Sequence, residues 1–463
     1  MYDFDGDKDL KKRFFEAIEN GDVQTIGGRI LRTDGKMILL NDSNLINNIY
    51  YDSQCTSDEN IFNFGEMYIG SAEIEVILTN ENINLIKGGE LRLYFGTETI
   101  KNKWIPLGVW DIVSAEREAG NIFKIKGYDH LNRLNVPVNI NLVGAVRMEF
   151  AMIQVAKIAK VEFAQNIEEI QEIAGDKINV INGVWATHYL ETCWDEVRAI
   201  AQFLGCFVFA NREGKIEFRK FSVSPVLKIP PEKRFSVKIS DYLYKAGGIS
   251  YTDQRGYTVT YTNNEQNSYI LGFSDNKYIW LTKENQEEVY MQHLRRIVND
   301  YSTIWNKFCK WSPGTVEYYG NPALDVGDMV KIEDGVNDGN EDTNFLITHI
   351  SWQFRGPQTL ISAGSPETET VSSGTSGTSD RTVSSYTTIN SVNNISVIEM
   401  KTYTGEVFGT ERFVAKTGFS NSQETWIFAD CTLILSGDGL VSASVWIDGI
   451  AQTLRPKITL HNG

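Results

Sequence analysis

Residues 8–20 open the chain with a short helical pattern, in which Phe14, Phe15 and Ile18 cluster on one side. From about 24 to 135 the pattern changes to short alternating runs closed by turn residues, which predicts strands. Gln24 to Leu31 is followed by the hairpin-turn pair Asp34-Gly35 and then by Lys36 to Leu40. Ala72 to Leu78 and Glu90 to Phe95 alternate, with Gly88-Gly89 between them. Pro106 to Val113 and Asn121 to Tyr128 read as two more strands around the turn at Glu118-Ala119-Gly120. Several short strands this closely spaced predict a barrel or sandwich.

Residues 136–234 read as a compact α+β segment. Phe150 to Lys160 carries a helix-like set of Ile153, Val155, Ala156 and Ile158. Thr192 caps a second helix with Asp195 reaching back, and Val197, Ile200, Ala201 and Leu204 form its apolar stripe up to Gly205. Phe207 to Ala210 and Lys215 to Arg219 flank the turn Asn211-Arg212-Glu213-Gly214 as a hairpin. Residues 235–364 return to strand patterns, among them Ile249 to Thr262, Phe345 to Ile350, Ser351 to Phe354 and Gln358 to Ala363. A long helix over 283–305 interrupts them, with Thr282 as cap and Tyr290, Leu294, Ile297, Val298 and Tyr301 on one face. Residues 365–395 are Ser/Thr/Gly-rich and predict a linker or fibrous segment. Residues 396–463 resume strand patterns, including Trp426 to Phe428, Cys431 to Leu435 and Val441 to Ile447 before Asp448-Gly449. This small β module stops straight after an apolar strand and reads as truncated.

The run Gly320-Asn321-Pro322-Ala323-Leu324-Asp325-Val326-Gly327-Asp328-Met329-Val330-Lys331-Ile332 concentrates several of these signals. Pro322 presets one backbone angle, Leu324 can plug a core, and Val326-Gly327-Asp328 is a tight turn. Met329 to Ile332 then alternates like a half-buried strand.

A length of 463 residues exceeds one core and predicts two to four domains. The formal net charge of −16 argues against nucleic-acid binding as the main role, since that needs a basic face. Cys55, Cys193, Cys206, Cys309 and Cys431 are scattered without a Cys-x-x-Cys, which argues against a disulfide framework or zinc site and for synthesis in a reducing cytosol. The acidic start from Met1 to Asp9 has no apolar signal region, and no stretch approaches the length of a transmembrane helix.

The order of four phrases points to a family. Gly70-Ser71-Ala72-Glu73-Ile74 leads into a strand. Gly89-Glu90-Leu91-Arg92-Leu93-Tyr94-Phe95-Gly96 and Pro106-Leu107-Gly108-Val109-Trp110 follow, and Ile125-Lys126-Gly127-Tyr128-Asp129 closes the set. Over about residues 20–364 the chain resembles the tail-tip and baseplate hub proteins of bacteriophages and phage-tail-like particles, of the tail-associated type. The resemblance implies that these phrases are successive strands of a first hub barrel, and that Asn321 to Ile332 belongs to a second. The implied fold is mainly β: two related β-barrel domains flanking an α+β domain, then the linker and the small C-terminal β module. The boundaries are 1–135, 136–234, 235–364, 365–395 and 396–463. The implied assembly is a homotrimer whose paired barrels surround a channel and match a six-fold tail tube. Its implied partners are the distal tail, tail tube and tape-measure proteins, at the virion tail tip after synthesis in the host bacterial cytoplasm. Residues 396–463 match no family pattern and are a candidate for a receptor-binding protein contact or for cell-surface glycan. The reading needs one polypeptide to supply two look-alike sheets; a single sheet system, or two whose topologies cannot be superposed, would remove it.

Hubs of this type often carry a wall-cutting domain, so catalytic patterns matter. There is no His-Glu-x-x-His and no Gly-x-Ser-x-Gly. His130, His188, His293, His349 and His461 are not spaced as metal ligands and read as structural. Cys193 lies near His188, but a cysteine nucleophile also needs an orienting group, and Cys193 next to Trp194 reads as core at a helix start. Glu168-Glu169, Glu172 and Glu287-Glu288 offer carboxylates for a glycosidase, yet fit solvated helical faces. Asp3, Asp5, Asp7 and Asp9 mimic a calcium-loop start but place Lys8 and Phe14 where a glycine and an acid are needed; Asp338, Asn340 and Asp342 fail likewise at Thr343. Tyr403, Phe408, Phe413, Phe419, Trp426, Phe428 and Trp446 can build either a small core or a sugar platform. The expectation is therefore a structural hub: not an enzyme, with no catalytic, cofactor-binding or metal residue. The alternatives are a tail-associated cell-wall hydrolase (peptidoglycan endopeptidase or glycosidase) and a glycan-binding adhesin.

Overall fold

The computed structural model describes residues 1–56, 62–79, 81–100, 103–138, 145–146, 148–174, 183–184, 192–222, 224–239, 246–252, 258–262, 269–274, 276, 278, 312–333, 342–354, 356–363, 445–447 and 450–452. Asp7 accepts a hydrogen bond from the Leu10 amide and starts α1 (Lys8–Glu19), whose Phe14 and Ala17 are buried. Phe14 meets Phe95 edge-on and so fixes α1 to the first strands. These are β1 (Gln24–Leu31), β2 (Met37–Leu40), β3 (Leu45–Gln54), β4 (Ser71–Ile77), β5 (Glu90–Thr97), β6 (Ile105–Ala119) and β7 (Ile122–Asp129). Along β4 the alternation Ala72, Ile74, Val76 is buried, as its period predicts.

The α+β segment holds β8 (Ala145–Val146), α2 (Met148–Ala159), α3 (Ile167–Ala174), β9 (Gly183–Val184), α4 (Cys193–Leu204), β10 (Phe207–Ala210) and β11 (Ile216–Arg219). Thr192 and Asp195 form the predicted reciprocal capping box, and Gly205 ends α4 in the left-handed conformation. The predicted hairpin is β10 paired with β11. Next come β12 (Pro225–Ile229), β13 (Arg234–Ile239), β14 (Ala246–Thr252), β15 (Thr258–Thr262), β16 (Tyr269–Ser274), β17 (Gly314–Tyr318), β18 (Met329–Ile332), β19 (Thr343–Leu346), β20 (His349–Gln353) and β21 (Gln358–Ser362). The predicted strand Phe345 to Ile350 is in fact two, broken at Ile347 and Thr348. The chain divides into two compact units, Met1–Ser379 with Thr388–Val397, and Asp380–Thr387 with Ile398–Gly463. Of the second, the described part is one hairpin, β22 (Val445–Ile447) with β23 (Ile450–Gln452), which flanks Asp448-Gly449. The helix expected over 283–305 and the linker at 365–395 lie outside the described residues.

The fold is mainly β with few helices, and its main sheet is curled. That sheet has eleven strands in the order β13-β17-β21-β20-β3-β4-β7-β6-β5-β1-β2. Every pairing in it is antiparallel. The two strand-rich stretches are thus not separate sheets. They join where β20 pairs with β3, from His349 opposite Gln54 to Gln353 opposite Tyr50. The physical reason is edge satisfaction: β20 and β3 each present a row of amides and carbonyls that the other covers. Hydropathy did not mark β3, because a register shift between Ile46 and Tyr50 breaks its period.

A repeat is visible inside the single sheet. In the first stretch the strands β3, β4, β6 and β7 lie in the order β3-β4-β7-β6; in the second, β13, β17, β20 and β21 lie in the order β13-β17-β21-β20. Numbered along the chain, both orders are first, second, fourth, third. Each ends on a hairpin whose last strand pairs back onto the second strand.

β18 departs from the half-buried alternation predicted for it. Met329, Val330 and Ile332 are all buried. Successive buried residues mean that both faces of this strand are covered; it lies in the middle of a separate three-stranded sheet, parallel to β12 and antiparallel to β19.

Candidate functional site

The turn before β18 is built by its own polar residues. Asn321 Oδ1 accepts from the Ala323 amide at 2.9 Å, and the Gln358 side-chain oxygen accepts from Tyr318 Oη and the Asn321 amide at 2.7 and 2.9 Å. Gly327, at φ +81°, turns the chain and donates to the Ile347 carbonyl. Leu324 is buried, as expected of a plug.

This turn places Asp325 at a junction of four segments. Arg212 of the β10–β11 turn donates from Nε to Asp325 Oδ1 at 2.9 Å, from Nη1 to the Pro106 carbonyl at 2.8 Å, and from Nη2 to the Leu324 carbonyl at 3.0 Å. Arg219 of β11 reaches Asp325 Oδ2 at 3.3 Å and Glu217 at 2.8 Å, and its guanidinium lies 4.3 Å from the Phe209 ring centroid. The Met1 amino group stands 2.6 Å from Asp328 Oδ1 and 3.3 Å from Asp325 Oδ2. Burial opposes the charge on Asp325, but Arg212, the amino terminus and Arg219 outweigh it and hold the carboxyl well below the usual range. Asp328 moves the other way, raised by burial and by the neighbouring charge of Asp325. The arrangement clamps β6, the α+β hairpin and the second stretch onto one carboxylate.

Beside the clamp is a cavity of about 50 Å³ whose lining includes Asp52, Gly70, Trp110, Asp129, Arg212 and Asp325. Asp129 accepts from the Gly70 amide at 2.8 Å and the Leu131 amide at 3.0 Å. Burial nevertheless dominates and pushes its carboxyl up to about 8. His349 Nε2 lies 2.9 Å from Asp52 Oδ2. His130 donates from Nδ1 to the Gly214 carbonyl at 2.5 Å, and burial followed by the charge of Arg133 lowers its pKa, so the ring is neutral.

The other sequence candidates are dispersed. Cys193 is buried at the first position of α4, where burial pushes the thiol up to about 11, the opposite of what an activated nucleophile needs. Its partner candidate His188 lies outside the described residues, with His293, His461, Glu287 and Glu288. Glu168, Glu169 and Glu172 are exposed on α3, and Glu169 and Asn166 cap its start reciprocally. Asp3, Asp5, Asp7 and Asp9 are exposed, with Asp7 used as the α1 cap. Asp342 pairs with Lys331 at 2.9 Å, whereas Asp338 and Asn340 are outside the described residues. So are Tyr403, Phe408, Phe413, Phe419, Trp426 and Phe428; Trp446 falls on β22. Among the described residues no three His, Cys, Asp or Glu side chains are grouped to hold a metal ion, and no helix is long and apolar enough to cross a membrane.

Sequence reasoning missed the clamp. Asp325 and Asp328 stood in the run singled out at 320–332, but Arg212 is 113 positions from Asp325. Asp129 closed one of the four quoted phrases, but its hydrogen bond from the Gly70 amide, 59 positions earlier, left no sequence signal.

A second concavity, of about 570 Å³, is lined by residues of β1, β2 and β5, among them Gly27, Gly28, Leu40 and Tyr94, and by Asn41 and Trp104. The Trp104 ring rests against Gly96, where an added Cβ would stand 2.9 Å from it, and against Gly27, where one would make ordinary contact at 3.5 Å; the residue is 47% exposed.

No protein-family model matches the chain, and no curated protein matches it. Its fold is similar to those of several solved tail proteins. One is the 43 kDa tail protein of prophage MuSo2 from Shewanella oneidensis, at 11% identity and TM-score 0.45, covering 74% of this chain and 99% of that one. A second is the prophage tail protein gp18 from Listeria monocytogenes, at 13% identity and TM-score 0.41, covering 73% and 94%. A third is a type VI secretion component of E. coli, itself described as similar to the T4 tail proteins gp27 and gp5, at 7% identity and TM-score 0.35, covering 70% and 74%. These structural neighbours are phage tail proteins and a type VI secretion component; the likeness is one of fold.

Proposed function

We propose that this chain is a structural hub at the tip of a phage tail or tail-like particle, where three copies form a ring that closes the tail tube and joins it to the distal tail proteins. In this reading residues 1–135 and 235–364 are the two hub units, residues 136–234 are the insert between them, and residues 396–463 contact a receptor-binding component or glycan. The observation that carries it is the recurrence of one four-strand order twice in one chain. Three chains with two such units each offer six related surfaces around one axis. The strands of both units share a sheet. A single sheet is the outcome named above as removing the two-sheet form of the hub, so that form is withdrawn; the proposal rests instead on a tandem repeat inside one sheet. The Asp325 clamp supports a structural role, since it ties the insert to both units through charge-assisted hydrogen bonds.

The test is a solution mass together with images of intact particles carrying a label on this chain. Three copies and a ring at the tail end are expected. A strict monomer at high concentration, with label elsewhere or absent, overturns the reading. Release of muropeptides from peptidoglycan by the purified chain would overturn its non-enzymatic part.

A further inference from the structure

Each end of the eleven-stranded sheet is an open edge among the described residues: β2 at one end and β13 at the other. Edge strands of soluble proteins are ordinarily defended by charge, proline, bulges or a covering segment. β2 carries no charge, proline or bulge among its four residues, Met37, Ile38, Leu39 and Leu40, although the Leu39 carbonyl already accepts from Asn44 Nδ2 at 2.7 Å. Ile38 and Leu40 turn toward the protein, while Met37 and Leu39 are 53% and 62% exposed. Leu31, opposite Met37 on β1, is exposed as well and extends the patch. At the other end β13 carries Arg234, Lys238 and a register shift between Arg234 and Ser236, but Phe235 and, just past β17, Tyr319 are 56% and 57% exposed, and their rings meet edge-on at 4.8 Å. Two aromatic rings held together in water are a ready anchor for a partner.

We propose that the β2 edge of one copy docks against the β13 edge of the next, and that this head-to-tail contact is what closes the ring; the inference rests on the ring reading above. Three observations commit it to a second copy of the chain. The sheet order already contains the contact once: β20, on the trailing side of the second four-strand unit, pairs with β3, the leading strand of the first. β13 is the leading strand of the second unit, the counterpart of β3, and lacks such a neighbour among the described residues. The trailing side of the first unit is extended by β5, β1 and β2, so β2 is the edge it offers.

Pairing two β2 edges about a two-fold axis would cover one apolar edge and leave Phe235 and Tyr319 in water. Pairing β2 with β13 covers both with a single kind of contact, and such a heterologous contact closes into a three-membered ring when each copy is turned by a third of a revolution from the last. Eleven strands in unbroken antiparallel order point β2 and β13 the same way. A rotationally related copy therefore presents β13 parallel to β2, and the contact repeats the position of the internal seam but not its hydrogen-bond pattern.

The experiment uses the full chain in two single variants, Leu39→Cys and Phe235→Cys. Both sites are exposed, so neither change opens the core. The variants are mixed in equal amounts and treated with a short flexible bis-maleimide. Linked peptides are mapped by mass spectrometry, which separates the new thiols from the native cysteines. The expected result is a link between residue 39 of one variant and residue 235 of the other, and a closed three-chain product from the doubly substituted chain. Predominant linking of Leu39→Cys to itself, or of Phe235→Cys to itself, overturns the head-to-tail contact. No link in a preparation whose mass is that of three copies overturns the contact and leaves the ring standing. A strict monomer overturns both.

Discussion

The unit β3-β4-β7-β6 and the unit β13-β17-β21-β20 share a strand order, yet each carries a half-buried acid in the opposite state. Asp129 ends β7 of the first unit and is answered by two backbone amides, with no cation among its hydrogen-bond partners. Asp325 lies in the turn after β17 of the second unit and is answered by Arg212, Arg219 and the Met1 amino group. Burial raises the first to about 8 and would raise the second, but the cations reverse it. The difference shows what the α+β segment contributes. Both arginines come from its hairpin, so the second unit keeps a charge in its interior only because another segment supplies the counterions. Amide donors alone do not repay the desolvation of the first.

The largest expected effect comes from cutting the clamp. Asp325→Asn keeps the shape and removes the charge, leaving Arg212 and Arg219 without their shared partner. Breaking a buried ion pair from one side costs roughly 3–5 kcal/mol. Asp129→Asn removes no countercharge and loses about one hydrogen bond, a cost of about 1 kcal/mol. Urea unfolding at neutral pH compares the two. Equal losses would mean that the two acids are not in different states.

The pH dependence separates them further and is expected to be the next largest effect. The folded-state pKa of Asp129 lies above its unfolded value of 3.8, so the native state holds a proton that the unfolded chain has released. Its contribution to stability is complete below about pH 4 and is lost as pH rises toward 8, at no more than about 1.4 kcal/mol per pH unit. Asp325 has a lowered folded pKa, so its contribution is present above the unfolded value and is lost as pH falls through the folded one. Unfolding free energies measured from pH 4 to 8 should therefore decline less steeply in Asp129→Asn than in the parent chain. Identical slopes would place an ionised carboxylate at Asp129.

Much of the local structure was legible before any coordinates, and most of the long-range structure was not. β4, β5 and β7 carry a clean two-residue period, and α4 announces itself through Thr192, Asp195 and Gly205. β3 was silent because its bulge shifts the period. β18 was misread because a strand paired on both sides and covered on both faces does not alternate. The clamp was out of reach because charge pairing between Arg212 and Asp325 leaves no periodic trace. What the chain did declare there was the tight turn at Val326-Gly327-Asp328 that aims the carboxylate.

That turn supports the smallest prediction, which contrasts a glycine of the β1–β2 turn with the glycine before β18. Gly35 in the β1–β2 turn and Gly327 before β18 have nearly the same backbone angle, φ +82° and φ +81°. An added methyl at Gly35 meets nothing within 4 Å, whereas at Gly327 it would stand 2.4 Å from the Phe207 ring. Gly35→Ala therefore carries only the left-handed backbone penalty, about 1 kcal/mol. Gly327→Ala adds overpacking, which costs roughly 1–3 kcal/mol more, because Phe207 is buried and cannot swing aside freely. The difference between the two variants cancels the shared backbone term and isolates the contact between the turn and the β10 hairpin. Phe207→Leu in the Gly327→Ala background opens space at that ring and should return part of the loss, while the same change beside Gly35→Ala should only destabilise. Thermal unfolding of the four proteins decides it, and a Gly327→Ala cost no larger than that of Gly35→Ala would show that the hairpin is not seated against the turn.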